Sequence, residues 1–363
     1  MTLVALPHKR PASSWCGSVQ LLQREKDSMA SATRRYMVYG IGNGIVDKQV
    51  KITESELEDL RLSKGFMELA EQAEQARILA YLGNREHEMH AGGSAANTIV
   101  GMAQMGGTVA YTCSLAADDL GQHYAADFAR LGIHLTGTLK PQAQTGLCLV
   151  LVTPDGERTM KTYLGASTQL TPDSIEEEVI AQSHWIYLEG YLLAGESTRA
   201  ASFHALDLAR KHGTRIAYSF SDGFLVTNFG EHLRRVVTQY ADLVFANELE
   251  AAAYTGHRDP QASLEAILHD CQNACVTCSE NGSYIHYNGT TSYVPAFPVQ
   301  PMDLTGAGDM YAAGVLYGLS VQASPADAAQ LGARAAADVV RQMGARLPGT
   351  LHDMVREMLQ TAG

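Results

Sequence analysis

Hydrophobic and polar positions follow two patterns that alternate along most of the chain. Apolar runs of strand length occur at YMVYGIG, TVAYTCSLA, WIYLEG, RIAYSF, ADLVFAN and ACVTCS. Stretches with helical spacing, such as STRAASFHALDLARKHG, separate these runs. Apolar strands that alternate with helices indicate an α/β fold whose mostly parallel sheet is covered on both faces. Ligands of such sheets bind beyond the carboxyl ends of the strands, which makes the residues just after each strand the first candidates for a site.

Two regions depart from this alternation. The segment TGLCLVLVTPDGERTMKTYLG is typical of two strands joined by a turn at Pro154-Asp155-Gly156. The polar stretch 47–90 includes a helical pattern without strand patterns beside it. We expect parts of 47–90 and 137–165 to form a small β-rich lid over the main sheet.

The C-terminal part of the chain carries clear boundary signals. Asn288-Gly289 predicts the turn of a hairpin within SYIHYNGTTSYVPAF. A helix is predicted from Ser324, with Pro325 at its first position, to Gly344.

Composition narrows the class of protein. The chain has 363 residues, of which 46% are hydrophobic and 18% charged, as in a globular protein with a sizeable core. Its formal net charge of −12 argues against a nucleic-acid partner. No apolar run reaches the ~18–20 residues of a membrane helix, and six cysteines in a chain of this length favour a reducing cytoplasm. Residues 1–35 lack periodicity and are expected to be a disordered tail or a misassigned start, followed by one domain, 36–363.

The segment TGAGD places one carboxylate, Asp309, at the start of an apolar helix. Glycines at Gly306 and Gly308 let backbone N–H groups approach a ligand, and the first turn of a helix attracts anions. Asp309 would then lie beside an anion site, where it could accept a proton from a hydroxyl group. The alternative is that Asp309 only complements the helix dipole.

Two more segments place polar residues near helix starts or strand ends. In HAGGSAANTIV, Gly92 and Gly93 precede a helix whose first turns are small and apolar apart from Asn97. In GIGNGIVDK, Asn43 and Asp47 follow the first strand. That segment is not a dinucleotide-binding fingerprint, because its third glycine is missing and no helix follows, and the chain contains no Walker-type phosphate loop.

The segments GGSAANT and DLTGAGD resemble, in order, the two signatures of the ribokinase/PfkB family of carbohydrate and nucleoside kinases. The segments GIGNGIVDK and CLVLVTPDGERTMKTYLGAS are most similar to its adenosine-kinase-like branch. The resemblance runs from Tyr36 to the C-terminus, and Leu304 departs from it where a small or β-branched residue is usual. It implies a ribokinase-like three-layer sandwich and ATP-dependent phosphorylation of a primary hydroxyl group on a nucleoside or sugar.

The resemblance also implies roles for individual residues. Asp309 would be the general base, and the backbone of Gly306, Ala307 and Gly308 the anion hole. The residues that would bind the acceptor are Asn43, Asp47, Gly92, Gly93 and Asn97. Those associated with ATP and Mg²⁺ would be Asn247, Glu250, Thr277 and Gly282, with Ser279 at a position where glycine is frequent. Mg²⁺ would be held through water and phosphates rather than by direct protein ligands. Whether a monovalent cation is also needed stays open.

Alternatives to a nucleoside kinase stay open at this point. One is a free-sugar kinase of ribose or fructose type, and another is a regulator that binds nucleotide or sugar without turnover. The third is an iron–sulfur enzyme, since Cys271, Cys275 and Cys278 are spaced as C-x₃-C-x₂-C. That spacing spans a helix end and a buried strand, where cysteines are ordinarily core residues. The alternative for Asn247 and Glu250 is an ordinary helix start after a strand. A monomer and a homodimer are both compatible with the sequence.

Overall fold

The computed structural model describes residues 34–360, so the predicted tail, 1–35, lies outside the described residues except for Arg34 and Arg35. Its strands are β1 (Tyr36–Ile41), β2 (Ile45–Lys51), β3 (Met67–Leu69), β4 (His87–Gly92), β5 (Val109–Ala116), β6 (His134–Lys140), β7 (Gly146–Val152), β8 (Arg158–Tyr163), β9 (Ser183–Glu189), β10 (Arg215–Ser219), β11 (Leu243–Asn247), β12 (Ala274–Thr277), β13 (Ser283–Tyr287) and β14 (Thr290–Val294).

The α-helices are α1 (Glu54–Leu60), α2 (Gln72–Leu82), α3 (Ser94–Gln104), α4 (Asp119–Arg130), α5 (Glu177–Ala181), α6 (Glu196–His212), α7 (Gly223–Asn228), α8 (Gly230–Gln239), α9 (Glu248–Thr255), α10 (Pro260–Ile267), α11 (Ala307–Ser320), α12 (Pro325–Val339) and α13 (His352–Gln360). Short 3-10 helices lie at Gly165–Gln169, Pro172–Ser174, Gly190–Leu193 and Ser279–Asn281. Within residues 34–360, no helix combines the length and the apolar character needed to cross a bilayer.

The central sheet has nine strands in the order β14-β13-β12-β11-β10-β9-β1-β5-β6. Its strands run parallel from β6 to β12, and the β13–β14 hairpin continues the sheet in the antiparallel sense. The hairpin turns at Asn288 and Gly289, both with positive φ, as the sequence predicts. The predicted α/β fold with a mostly parallel sheet is confirmed.

Helices cover both faces of this sheet, and each face has its own apolar core. Val38 of β1 belongs to the core that includes residues of α3, α11 and α12, whereas its neighbour Tyr39 belongs to the core that includes residues of α6, α8 and α10. Successive side chains of a strand point to opposite faces, so a strand that is buried on both sides is apolar throughout. This explains why the central strands appear in the sequence as continuous apolar runs.

A second, five-stranded sheet has the order β3-β8-β7-β2-β4. It lies beyond the end of β1 and is drawn from the two regions that the sequence set apart as a lid. Its function as a lid stays a prediction. The expectation that the helical part of 47–90 lacks strand neighbours is wrong, because β2 precedes α1, β3 separates α1 from α2, and β4 follows α2.

Two boundaries also differ from the prediction. Asp47 does not lie at the end of β1 but within β2, paired with His90 of β4. Helix α12 begins as expected, with the hydroxyl of Ser324 accepting the N–H of Asp327 at 3.1 Å, but it ends at Val339 rather than Gly344. The carbonyl of Val340 accepts the N–H groups of Met302 and Asp303. The chain leaves the helix at this contact. Residues 340–349 then run along the glycine-rich loop, where Ala345 lies against Gly306.

Candidate active site

A cavity of about 1000 Å³ opens between the carboxyl edge of the central sheet and the small sheet. The central sheet contributes residues at or just after the ends of β1, β9, β10, β11 and β12, together with the start of α11. The small sheet contributes residues of β2, β3, β7 and β8. Eleven of the predicted site residues line this one cavity: Asn43, Asp47, Gly93, Asn97, Asn247, Glu250, Thr277, Gly306, Ala307, Gly308 and Asp309.

Asp309 is the third residue of α11, and two side chains of α3 hold its carboxylate. The hydroxyl of Ser94 donates to Oδ1 at 2.6 Å, and the amide of Asn97 donates from Nδ2 to Oδ2 at 2.9 Å. A lone carboxylate beside an apolar helix would be unfavourable without polar partners. These two hydrogen bonds, together with access to the cavity, offset the cost of placing the Asp309 carboxylate there.

The loop before α11 is shaped by Gly306, which has φ +81° and is the N-cap residue of the helix. A Cβ on Gly306 would lie 2.6 Å from the Cα of Ala345, so only glycine is compatible with both the backbone angle and this contact. Gly308 differs, because a Cβ there would meet nothing within 4 Å. The loop therefore packs on residues 340–349 on one side and leaves Gly308 open. The N–H of Ala307 donates to the carbonyl of Leu304 at 3.3 Å, and the N–H groups of Gly306 and Gly308 at this helix start suit an anion.

The protein around Asp309 raises the pKa of its carboxyl group to about 6. The main cause is the low-dielectric surroundings, which disfavour the charged form, while Ser94, Asn97 and the positive charge of Arg346 act in the opposite direction. A carboxylate with a pKa near 6 is ionised at neutral pH and more basic than an ordinary aspartate. These are the properties required of a base that removes a proton from an alcohol.

Asp47 lies on β2 at the wall of the same cavity. Loss of solvent raises the pKa of Asp47 to about 6, against the positive charges of Arg346 and Arg158. Gly92 lies directly behind it, since a Cβ on Gly92 would come within 2.6–2.9 Å of the Asp47 carboxylate atoms. Gly92 itself does not line the cavity, so its effect on a ligand would pass through Asp47. Gly93 has φ +108° and carries the chain into α3.

Asn43 is fixed by Glu189, a buried acid at the end of β9. The backbone N–H and the side-chain amide of Asn43 donate to Oε1 of Glu189 at 2.8 and 2.7 Å. The N–H of Ala95 donates to the other oxygen at 2.7 Å. Burial still raises the pKa of Glu189 to about 7. Glu189 thus ties the end of β1 to the start of α3.

Asn247 and Glu250 form the capping box that begins α9, in which Asn247 accepts the N–H of Glu250 at 2.8 Å and Glu250 accepts the N–H of Asn247 at 3.0 Å. The ordinary helix start considered from sequence is therefore present, and both residues also line the cavity. Burial raises the pKa of Glu250 to about 7. Thr277 ends β12 at the cavity, whereas Gly282 is not among its lining residues and instead closes the turn before β13.

Residues that sequence reasoning missed complete the site. Arg158 of β8 pairs with Asp303 and donates to the hydroxyl of Thr305 at 2.8 Å. Arg346 donates to Asn97. Glu189 could have been found, because it is an acid placed directly after a predicted apolar strand. Arg158 and Arg346 carried no local signal, since their partners lie far away in the sequence.

The three cysteines considered as cluster ligands are buried. The thiol of Cys271 donates to the backbone oxygen of Asn273 at 3.3 Å, and that of Cys278 to Val276 at 3.8 Å. Burial raises the pKa of Cys271 and Cys278 to about 11. No group of three or more His, Cys, Asp or Glu residues within 34–360 is arranged to hold a metal ion. The iron–sulfur alternative is not favoured.

Comparison with known proteins agrees with this fold. The sequence model of the pfkB family carbohydrate kinases matches residues 51–351. The chain therefore belongs to the pfkB family of carbohydrate kinases, and it is a phosphotransferase that acts on an alcohol group of a sugar or nucleoside. Membership implies ATP as the phosphoryl donor.

Individual relatives include both sugar kinases and nucleoside kinases. The ribokinase of Haemophilus influenzae is 26% identical over 274 residues, which are 73% of this chain and 86% of the relative. A solved adenosine kinase from Sinorhizobium meliloti is 36% identical, with a TM-score of 0.81, and the match covers 89% of this chain and 99% of that one. A probable sugar kinase from Rhizobium etli is 33% identical, with the same TM-score of 0.81 and coverage of 89% and 98%. The ribokinase-like fold is thereby confirmed.

Proposed function

We propose that this protein is an ATP-dependent kinase that transfers the γ-phosphoryl group to a primary hydroxyl group of a nucleoside of the adenosine type. The observation that carries this proposal is the position of Asp309 in a cavity that also holds the glycine loop and Asp47. A carboxylate base, a set of anion-binding N–H groups and an acceptor-binding acid are thus available to one ligand pair.

Each part of the cavity has a task in this proposal. Asp309 removes the proton of the acceptor hydroxyl as the oxygen attacks phosphorus. The N–H groups of Gly306, Ala307 and Gly308 bind the oxygens of the phosphoryl group in transfer. The acceptor's sugar ring is held by hydrogen bonds, with Asp47 accepting from its hydroxyl groups and with Asn43, Gly93 and Asn97 around it. Closure of the small sheet over the acceptor would exclude water and limit ATP hydrolysis.

The mouth of the cavity supports a nucleoside over a free sugar. Met67 and Leu69 of β3, in the small sheet, line the cavity while remaining exposed. An aromatic base would cover these side chains and gain from the removal of apolar surface from water. A free sugar is smaller and carries hydroxyl groups around its ring, so it would leave these apolar side chains exposed to water. The similarity to the Sinorhizobium meliloti adenosine kinase points the same way.

The opposite end of the cavity suits ATP and magnesium. Asn247, Glu250, Thr277 and Asp222 line it there. Oxygen donors of this kind suit Mg²⁺, which keeps several of its waters and is bound largely by phosphates. When bound, Mg²⁺ would neutralise charge on the phosphates. In this proposal Glu250 and Asp222 hold its water shell, and Gly282 acts indirectly by fixing the turn after Thr277.

The acceptor is tested by a coupled assay of ATP consumption with adenosine, inosine, guanosine, ribose and fructose at equal concentrations. We expect the highest kcat/KM with a nucleoside. The control acceptor is 5′-deoxyadenosine, which keeps the base and both ring hydroxyl groups but lacks the primary hydroxyl group and should give no product. Ribose or fructose as the best acceptor would overturn the nucleoside assignment and favour the free-sugar kinase.

The base is tested by Asp309→Asn. We expect kcat to fall at least ~100-fold, as for the loss of a general base, while ATP affinity measured by calorimetry stays close to that of the wild type. Ser94→Ala is the matched variant, because it removes one hydrogen bond to Asp309 and leaves the carboxylate. It should lose much less activity. Near-wild-type turnover of Asp309→Asn would remove the assignment.

A further inference from the structure

The side-chain amide of Asn97 is engaged at both ends. Its Nδ2 donates to Asp309, and its Oδ1 accepts from Nε of Arg346 at 3.1 Å. A flipped amide would place its oxygen against the Asp309 carboxylate and its NH₂ group against the guanidinium, which is unfavourable at both ends. Arg346 therefore fixes which end of Asn97 faces Asp309.

Arg346 is itself anchored on its far side. Its Nη1 donates to Oδ2 of Asp127 in α4 at 2.9 Å, and the two side chains are only 13% and 12% exposed. The other oxygen of Asp127 accepts from Arg130, whose side chain is 76% exposed. A continuous chain of hydrogen bonds thus runs from Asp127 through Arg346 and Asn97 to Asp309. Arg130 is attached to it only from the solvent side.

The backbone places Arg346 together with the glycine loop. The N–H of Gly344 donates to Asp303 at 2.8 Å, and Ala345 packs against Gly306. The side chain of Gln104 donates to the carbonyl of Leu347 at 2.5 Å. The same turn therefore supports the loop before Asp309 and presents the guanidinium to Asn97.

We propose that Arg346 is a positioning residue for Asp309: it orients the Asn97 amide that holds the Asp309 carboxylate and supplies a positive charge behind it. This inference rests on the proposed role of Asp309 as the base. It assigns to Arg346 both an orientation, through Nε, and an electrostatic effect, through its charge. The two effects can be separated by the choice of substitution.

The groups around Asp309 make Arg346 important to its ionisation. The negative charge of Asp309 raises the pKa of acidic and phenolic groups on other elements: Asp47 of β2, Tyr187 and Glu189 of β9, Tyr191 after β9, and Glu250 of α9. Arg346 is the cation that lowers the pKa of Asp309. Its removal should raise that pKa further.

The test is the pH dependence of kcat. In Arg346→Gln, we expect the acidic limb of the kcat profile to move to higher pH by about one unit, with a roughly tenfold lower kcat at pH 7. In Arg346→Lys, the charge remains but one ammonium group cannot reproduce the guanidinium fork. For this variant we expect the acidic limb of the kcat profile to stay near its wild-type pH, while the kcat on the plateau of the profile falls.

Two controls make the result specific. Arg130→Gln removes the exposed partner of the same Asp127 and should leave both the limb and the plateau unchanged. Because Arg346 also faces Asp47, the comparison is repeated in an Asp47→Asn background with saturating acceptor. The limb should still move there, since Asp47 no longer titrates. Thermal unfolding of each variant shows whether it is folded at the assay temperature.

Several outcomes would overturn the inference. One is an acidic limb of the kcat profile that stays at its wild-type pH in Arg346→Gln. Another is an equal shift of that limb in Arg130→Gln. The third is a shift that disappears in the Asp47→Asn background. If Arg346→Gln is unfolded, a wild-type plateau kcat in Arg346→Lys overturns it instead. An active Asp309→Asn would remove the proposed base itself. An inactive Asp309→Asn with a normal Arg346→Gln would remove only the role of Arg346.

Discussion

Arg158 and Asp303 form an ion pair that joins the small sheet to the loop before α11. The two residues are 145 positions apart in the chain, and their side chains are almost fully buried. Asp303 also accepts the N–H of Gly344 and the N–H and hydroxyl group of Thr305. One carboxylate therefore fastens three segments around the glycine loop.

Breaking this pair from one side should be costly. We expect Arg158→Gln to lower the free energy of unfolding by about 3–5 kcal/mol, because Asp303 would keep a buried charge without its partner. Urea denaturation measures this loss. Lys64→Gln is the control, since Lys64 also pairs with two acids but at an exposed site, and it should have little effect. Equal losses in the two variants would contradict the prediction.

Gly306 and Gly308 should respond differently to alanine. Gly306→Ala places a Cβ against the backbone of Ala345 at a positive φ, so we expect a clear loss of stability as well as activity. Gly308→Ala has free space for its Cβ and should unfold at nearly the wild-type temperature. Its activity should still fall, because the methyl group would enter the space of the phosphoryl group. Calorimetric melting and initial rates separate the two cases, and a marked loss of stability in Gly308→Ala would count against this view.

Gly92 should matter to the acceptor through Asp47. A methyl group at position 92 would press on the Asp47 carboxylate and displace it. We expect Gly92→Ala and Asp47→Ala both to raise the KM of the acceptor, the latter by the equivalent of about 1.5–3 kcal/mol for a charged hydrogen bond. The KM of ATP should change little in either variant. A selective effect on ATP would mean that the two ends of the cavity are assigned in reverse.

The raised pKa of Asp309 should also be visible in stability. The folded-state pKa of about 6 lies above the ordinary value of 3.8, so the folded protein binds this proton more tightly than the unfolded chain. The contribution of Asp309 to the free energy of unfolding is therefore fully present below pH 4 and is lost as the pH rises through 6. Asp309→Asn does not titrate at this position. We expect it to gain stability relative to the wild type, by on the order of 2 kcal/mol, between pH 4 and pH 8.

Urea titrations of both proteins at several pH values measure this difference. Comparison with the wild type cancels the other titrating groups, including Glu189 and Glu250, whose raised pKa values act in the same direction. A difference that stays constant with pH would show that the pKa of Asp309 is ordinary.

The features that could be predicted from the sequence are those that depend on residues close together in the chain. The buried central strands are apolar on both faces, and Asp309 lies next to the glycines that define its surroundings. The strands β2 and β3 were missed because one face of β2 is polar and borders the cavity at Asp47, and β3 has only three residues, all exposed. Arg346 was missed because its partners, Asn97 and Asp127, lie 249 and 219 residues away. Such pairings come into being only when the chain is folded.

The glycines between α11 and α12 determine where the enzyme can deform. A Cβ on Gly314 would lie 2.5 Å from the Cα of Gly332, so the two backbones touch without intervening side chains. Helices in such contact cannot slide without opening a gap in the core. The start of α11, which carries the proposed phosphoryl-binding loop, is therefore held firmly against α12. We expect any change of shape during turnover to come from the five-stranded sheet.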